Sequence, residues 1–361
     1  MKNIMIFLCL MTYITIFSCA EEHILSEDNY KANKSGLYVI KVNGEIGYID
    51  ESGDVVIKPQ FKDGKRFTYS MATVKVGELW GYINTDGKMV IQQQFDEAHP
   101  FKGGLARVKI GNKYGFVNRN GKYIIKPKYS EAYDFSEGLA AVADYDEEYA
   151  KMTKDSAEGE MDKWYYIDKS GKKIIKNIYI DVNSFSENLA LVEDNVDNYN
   201  SNYYFIDRKG SVVIERSGSS FFEGLSIITN KLLDINNKYK YGYMNKLGKT
   251  VISPQFDEAF HFSEGLAAVK IEGKWGYIDK TGEYVINPQY KKAFSFSNGL
   301  ARVLIETNDG LKYAYINKIG KIIIQAQFDD AEDFYGSLAK FWKERKNGYI
   351  NKLGEVVWMS K

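Results

Sequence analysis

Short apolar runs alternate with polar, glycine-marked turns along almost the whole chain, and the alternation is periodic. The runs align on Gly47-Tyr48-Ile49-Asp50, Gly81-Tyr82-Ile83-Asn84, Gly115-Phe116-Val117-Asn118, Tyr165-Tyr166-Ile167-Asp168, Tyr204-Phe205-Ile206-Asp207, Gly242-Tyr243-Met244-Asn245, Gly276-Tyr277-Ile278-Asp279, Ala314-Tyr315-Ile316-Asn317 and Gly348-Tyr349-Ile350-Asn351. The intervals from Gly47 to Gly81, Gly81 to Gly115, Gly242 to Gly276 and Ala314 to Gly348 are equal, and the others are longer. One unit therefore recurs and some copies carry insertions. A fixed period of this size, about 34 residues, is the mark of a repeat architecture.

Each unit predicts three strands. The first is the aromatic-Gly-Tyr-Ile stretch, preceded by Trp80, Trp164 or Trp275, or by Tyr114, Tyr203, Tyr241 or Tyr313. Asp or Asn follows three residues after the anchor and Gly three later, as in Asp279 and Gly282, in all nine copies. Asp or Asn accepts a backbone N–H at the start of a type I turn, and Gly supplies the positive φ that closes a bulged hairpin. A second strand follows, with Pro59, Pro127, Pro254 or Pro288 near its end. Proline donates no ladder hydrogen bond, so the strand is expected to stop there. Apolar residues 14, 17 and 20 after the anchor, such as Phe256, Ala259 and Phe262, have the spacing of a short helical turn laid on the sheet. A Gly, or Asn188 in one copy, then turns the chain into a third strand such as 266–270.

On these residues, with Lys274-Trp275-Gly276 as the signature, the chain resembles the WG-repeat (KWG) family over about residues 36–358. The units at Tyr165 and Tyr204 lack the signature glycine. The resemblance implies β-rich repeats, frequent secretory or lipoprotein signals, and no common activity.

A three-stranded unit cannot bury both faces of its own sheet, so neighbours must stack. The expected fold is all-β: tandem repeats stacked as an elongated or superhelical array, because propeller blades usually run to about 40 residues or more. The alternative is a closed, propeller-like ring. It is favoured by the ends, where a lone third strand (37–42) and a lone first and second strand (348–358) could complete one another.

The first residues change the picture of location. Lys2 precedes an apolar run from Ile4 to Phe17, the shape of a secretory signal. It ends on Ser18-Cys19, resembling a bacterial lipobox, so residues 1–18 are expected to be a signal peptide and 19–35 a lipidated Cys19 with a polar tether. The chain's two cysteines, Cys9 and Cys19, both lie in this segment. The expected location is the bacterial cell envelope, exported and membrane-anchored, with residues 36–361 as the repeat body.

Lys plus Arg and Asp plus Glu each number 48, so no basic field exists to attract nucleic acid. His23, His99 and His261 show no metal-ligand spacing, the turn Asp/Asn residues lack the density of a calcium loop, and no nucleophile elbow or phosphate loop occurs. No metal or cofactor is therefore expected. Trp80, Trp164 and Trp275 could be sugar-stacking platforms, but their recurrence at one strand position favours packing. With Gly81, Gly242, Gly276 and Gly282 they are assigned to the structure of the repeat.

Only departures from the repeat can mark a unique site. The longest, 144–163, is acidic and offers Asp144, Asp146, Glu147, Glu148, Glu158 and Glu160 as a candidate binding loop. Shorter ones span 193–202 and 231–238, and all three interrupt the same connection. The expected function is a non-catalytic scaffold binding a protein or an envelope polymer. The alternative is an envelope enzyme such as a glycan hydrolase, using carboxylates of the inserted loops.

Overall fold

The computed structural model describes residues 36–144, 163–197, 200–230 and 239–361. The described residues form nine small antiparallel sheets and no helix, spanning 38–61, 63–95, 97–129, 131–179, 181–214, 225–256, 258–290, 292–328 and 330–359. We number these blades 1 to 9. Blade 7 is typical: a short strand Glu258–Ala259, then three long strands Ala267–Ile271, Lys274–Ile278 and Tyr284–Tyr290, each hydrogen-bonded to the next.

A sheet is therefore offset from the repeat read in the sequence. The last strand of one repeat pairs with the first strand of the next, as Ala267↔Ile278 and Ile271↔Lys274. The segment joining the second and third strands crosses to the next sheet, so every repeat straddles two blades. That segment is the short strand and a tight turn, not the helical turn expected from its spacing of three. Its alanine lies at the blade interface while its backbone bonds the neighbouring strand, as Ala259↔Val269.

The blades close into a ring. Nine separate apolar clusters occupy the interfaces of the described residues, one for each successive pair of blades and one between blade 9 and blade 1. The closing cluster holds Tyr38, Ile40 and Ile49 of blade 1 against Tyr335, Leu338 and Tyr349 of blade 9. The open array favoured by the repeat length is thus replaced by its alternative, a nine-bladed propeller. A fourth strand as short as Glu258–Ala259 is enough to turn so short a unit into a blade. The terminal fragments do not share a sheet either: Tyr38–Val42 pairs with Glu45–Ile49, and Lys346–Asn351 with Leu338–Lys343. The ring is closed by faces packing, not by a strand shared between its ends.

The signature glycine and the proline are explained together. Trp275 faces Tyr290 but Tyr277 faces Ile286, so the three residues between Ile286 and Tyr290 oppose Gly276 alone and the strand bulges through Pro288 instead of ending. A Cβ on Gly276 would lie 2.5 Å from the Ile286 carbonyl oxygen and 2.7 Å from the Pro288 nitrogen. Each bulge proline, Pro59, Pro127, Pro254 and Pro288, faces a glycine, whereas the non-glycine anchors Tyr165 and Ala314 face Asn177 and Ala326. Gly81 and Gly242 sit in the same crowded place.

A tyrosine hydroxyl joins most blades to the next; the exceptions are blade 3, with Phe116 at this place, and blade 5, with Phe205. Tyr48, Tyr82, Tyr166, Tyr243, Tyr277 and Tyr315 are sealed in the interfaces and donate to the carbonyls of Lys65, His99, Asn183, Phe260, Phe294 and Glu332, at the end of the next blade's short strand, over 2.7–3.0 Å. Burying a tyrosine stabilises only if its hydroxyl finds a partner, and here the partner is a carbonyl that the sheet leaves free. Where Phe205 replaces the tyrosine, Ser226 replaces the alanine found at its position in other blades, and its Oγ donates to the Ser219 carbonyl at 2.7 Å. At the closure Tyr349 donates to the Val39 carbonyl at 2.6 Å, on the first long strand, since blade 1 shows no short strand among the described residues.

Candidate binding surfaces

Turns alternate between the two ends of an antiparallel meander, so the ring has two distinct faces. One, the hairpin face, carries the Asp/Asn–Gly turns between the second and third long strands. It also carries the tight turns after the short strands, since Lys246, Lys280 and Lys318 of the hairpins pair with Glu187, Glu223 and Glu264 of those turns in the preceding blade. The opposite, loop face carries the turns between the first and second long strands.

On the hairpin face the repeated acids are structural. Asp279 Oδ1 accepts from the Thr281 hydroxyl at 2.6 Å and from the N–H groups of Thr281 and Glu283. The hydroxyl bond first, and the backbone donors with it, hold the Asp279 carboxyl below the usual carboxylate range. Gly282 has φ +92° and rests against Ile252 of the previous blade, so the hairpin also seals the blade interface. The sequence did not reveal a second device. Glu137, Glu187, Glu223 and Glu264 accept from the backbone N–H of Asn188, Gly224, Gly265 and Gly299 of the following blade. Their Ser/Phe-Glu-Gly/Asn recurrence at 136–138, 186–188, 222–224 and 263–265 was the signal available.

The tryptophans are packed. Trp164 and Trp275 are buried, stacked on Tyr133 at 4.9 Å and Phe260 at 5.2 Å between ring centroids. Trp80 is half-buried, with the Lys65 ammonium 5.2 Å above its ring. Trp164 and Trp275, so buried, offer no free face for stacking a sugar.

The inner edge of the ring is identified by two contacts that skip a blade. Arg66 of blade 2 donates to Glu332 of blade 9 at 2.7 Å, and Tyr335 of blade 9 donates to the Phe67 carbonyl of blade 2 at 3.3 Å. Both reach past blade 1, which is possible only where the blades converge. Elsewhere on this edge Arg302 is buried against Asp333 at 2.8 Å, and Arg107 pairs with Asp134 at 3.2 Å. Each of these arginines also donates to an alanine carbonyl of the next blade, Ala331 or Ala132. Arg107 further donates to His99 Nδ1 at 3.0 Å; burial first, and then the guanidinium, lower the His99 pKa to about 4 and keep the ring neutral. The nearby recess between blades 9, 1 and 2 is lined by Tyr38, Arg66, Glu332 and Lys340. Arg66 and Glu332 serve each other there, and among the described residues no group of three or more His, Cys, Asp or Glu could hold a metal.

The loop face is where the copies differ most. The acidic insertion leaves blade 4 between Asp144 and Lys163, which are paired across the hairpin; the second extends the hairpin of blade 5, and the third leaves blade 6 between Asn230 and Lys240. The bases of these three thus lie on consecutive blades of one face, on which the hairpin of blade 8 is also lengthened, out to Thr307 and Gly310. Asp144 itself accepts from the Tyr165 hydroxyl at 2.7 Å and anchors the base of its loop. Asp146, Glu147, Glu148, Glu158 and Glu160 lie outside the described residues, as do Cys19 and the whole of residues 1–35.

A family model described as "WG containing repeat" matches residues 46–80, 80–114, 114–146, 165–199, 241–275, 275–306 and 313–344. No curated protein matches. Among solved structures, a puromycin hydrolase is 10% identical with a TM-score of 0.37, over 89% of this chain and 59% of that one. The propeller domain of the Trilobed protease from Pyrococcus furiosus is 14% identical with a TM-score of 0.38, over 73% of this chain and 98% of that one. The tricorn protease is 9% identical with a TM-score of 0.25, over 90% of this chain and 39% of that one. The chain thus spans about six-tenths of the hydrolase, and likenesses at this level assign no activity.

Proposed function

The chain belongs to the WG-repeat family, and from that premise we propose that it is a non-catalytic scaffold of the bacterial envelope, lipid-anchored through Cys19, that binds a protein or an envelope polymer by its loop face. One observation carries the reading: the three longest departures from the repeat leave the frame at adjacent blades 4, 5 and 6 of one face, the face on which the copies differ most. Recognition is more often carried by loops on a rigid frame than by the frame itself.

The test removes the loop and keeps the frame. Asp144 and Lys163 are already paired, so a two-residue Asn-Gly turn can replace residues 145–162. The shortened protein should melt as the intact one does and lose capture of its partner from an envelope extract. Unchanged capture would refute recognition by this loop, and a turnover activity lost with it would favour the enzyme reading. The anchor is tested apart: Cys19→Ala should abolish lipid labelling and detergent partitioning, and retained labelling would refute it.

A further inference from the structure

Three aliphatic side chains stand almost free of the ring at one turn position. Leu247, Ile319 and Leu353 are 87%, 77% and 77% exposed, whereas the other large apolar residues at the surface, among the described residues, are no more than about half exposed. Each is the residue before the hairpin glycine, in Lys246-Leu247-Gly248, Lys318-Ile319-Gly320 and Lys352-Leu353-Gly354. The blade between them has Thr281 at this position, and blades 1 to 5 have Ser52, Asp86, Asn120, Ser170 and Lys209. The aliphatic tips therefore occupy one arc, blades 6 to 9, of the hairpin face.

A single exposed leucine needs no explanation. Three at equivalent apices on one arc do, and the position of the chain's N-terminal segment supplies one. Gly36, the first described residue, lies at the hairpin face: a Cβ there would be 3.3 Å from the Glu51 carboxylate, in the hairpin of blade 1. Blade 1 adjoins blade 9, so the preceding segment joins the ring at the end of the same arc. Between Cys19 and Gly36 there are too few residues to reach more than about 60 Å even fully extended.

We propose that the hairpin face of blades 6 to 9 lies against the lipid bilayer, with Leu247, Ile319 and Leu353 entering its interfacial layer, so that the loop face with its insertions points away from the membrane. The proposal rests on the anchor at Cys19. The shape fits a lipid surface better than a protein groove: the three apolar groups are separate apices on rigid turns, not a continuous patch. Lys246 and Lys318 beside two of them are paired with Glu187 and Glu264, which leaves Lys352 as the one lysine of the three with no ion pair among the described residues, so the contact is mainly apolar and depends little on salt or on anionic lipid. Weak tips of this kind act only when an anchor holds them at the surface, the two-signal logic of peripheral attachment.

The full chain, matured and reconstituted in phosphatidylcholine vesicles, tests this. With Cys9 in the signal segment and Cys19 lipidated, an introduced cysteine is the only free thiol. Leu247→Cys, Ile319→Cys and Leu353→Cys are each labelled with an environment-sensitive fluorophore, as is Asn112→Cys on the loop face. The expected result is blue-shifted emission at the three tips, quenched by spin-labelled lipid and unchanged in 1 M salt, with water-like emission at 112. Vesicle-bound protein with water-like emission at the tips would overturn the docking and leave the anchor standing. Protein that does not stay with the vesicles, and gives water-like emission throughout, would overturn both.

Discussion

Replacing Ser226 by Ala isolates the contribution of one inter-blade hydroxyl. The residue is buried, and alanine already fills the equivalent place in other blades, at Ala72, Ala106, Ala140, Ala190, Ala267, Ala301 and Ala339, so the substitution leaves little cavity. What it removes is the donor to the Ser219 carbonyl. An unsatisfied buried carbonyl costs about 1–3 kcal/mol. With an unfolding entropy near 2.1 cal/mol/K per residue over roughly 325 residues, a loss of about 1.5 kcal/mol lowers Tm by about 2 °C. Phe205→Tyr in the Ser226→Ala background should restore most of it. The Phe205 and Phe221 rings lie 5.1 Å apart, close to the 4.9–5.0 Å of Tyr243–Phe262 and Tyr277–Phe296, so the new hydroxyl would start from the place the other tyrosines use. Phe205→Tyr alone competes with Ser226 for that carbonyl and should gain nothing. A urea-unfolding double-mutant cycle should give a favourable coupling of about 1 kcal/mol or more. Additive effects would refute the claim that Ser226 stands in for the missing tyrosine.

Other consequences follow from the same geometry. Gly53→Ala places a Cβ 2.0 Å from the Val357 carbonyl oxygen across the closing interface, whereas Gly44→Ala, at a similar positive φ, meets nothing within 4 Å; the first should destabilise by at least about 1 kcal/mol more than the second in urea unfolding. His261 is partly exposed as a residue, but its Nδ1 is shut off from solvent without a partner, the ring lies against Phe222, and burial lowers its pKa to about 4. A histidine depressed in the folded state is protonated first in the unfolded chain, so stability is full above about pH 6.5 and falls as pH drops toward 4. His261→Gln should flatten that slope in melts between pH 7 and 4.5, and an unchanged slope would contradict it. Asp279→Asn should leave Tm within about 1 °C and Gly282→Val should lower it clearly, since the turn needs an acceptor at 279 and a left-handed residue at 282.

What the sequence disclosed, and what it hid, divides by range. The hairpins were legible because their chemistry is local: Asp279 and Gly282 lie three apart and act on each other's backbone. The proline was misread because its partner glycine lies on the facing strand, and only the register of Gly276 against Ile286 and Pro288 shows that the strand continues through a bulge. The spacing of Phe256, Ala259 and Phe262 suggested a helix because interface positions of a strand and a crossing turn also fall three apart. Closure was least legible, since it depends on the packing of the two ends of the chain, Tyr38, Ile40 and Ile49 against Tyr335, Leu338 and Tyr349. The clustering of insertions on one face followed from the repeat alignment; that their blades are consecutive in a ring needed the topology.

The ring itself is tested most directly by small-angle X-ray scattering of the body released from its anchor. Nine blades closed face to face should give a radius of gyration of roughly 20 Å, that of a compact chain of this length. The same nine sheets stacked in an open line, each about 10 Å from the next, would extend to about 90 Å and give a radius of about 30 Å. The compact radius, with no long-distance tail, is expected; an elongated profile with the larger radius would contradict the closed propeller and the two-faced arrangement built on it.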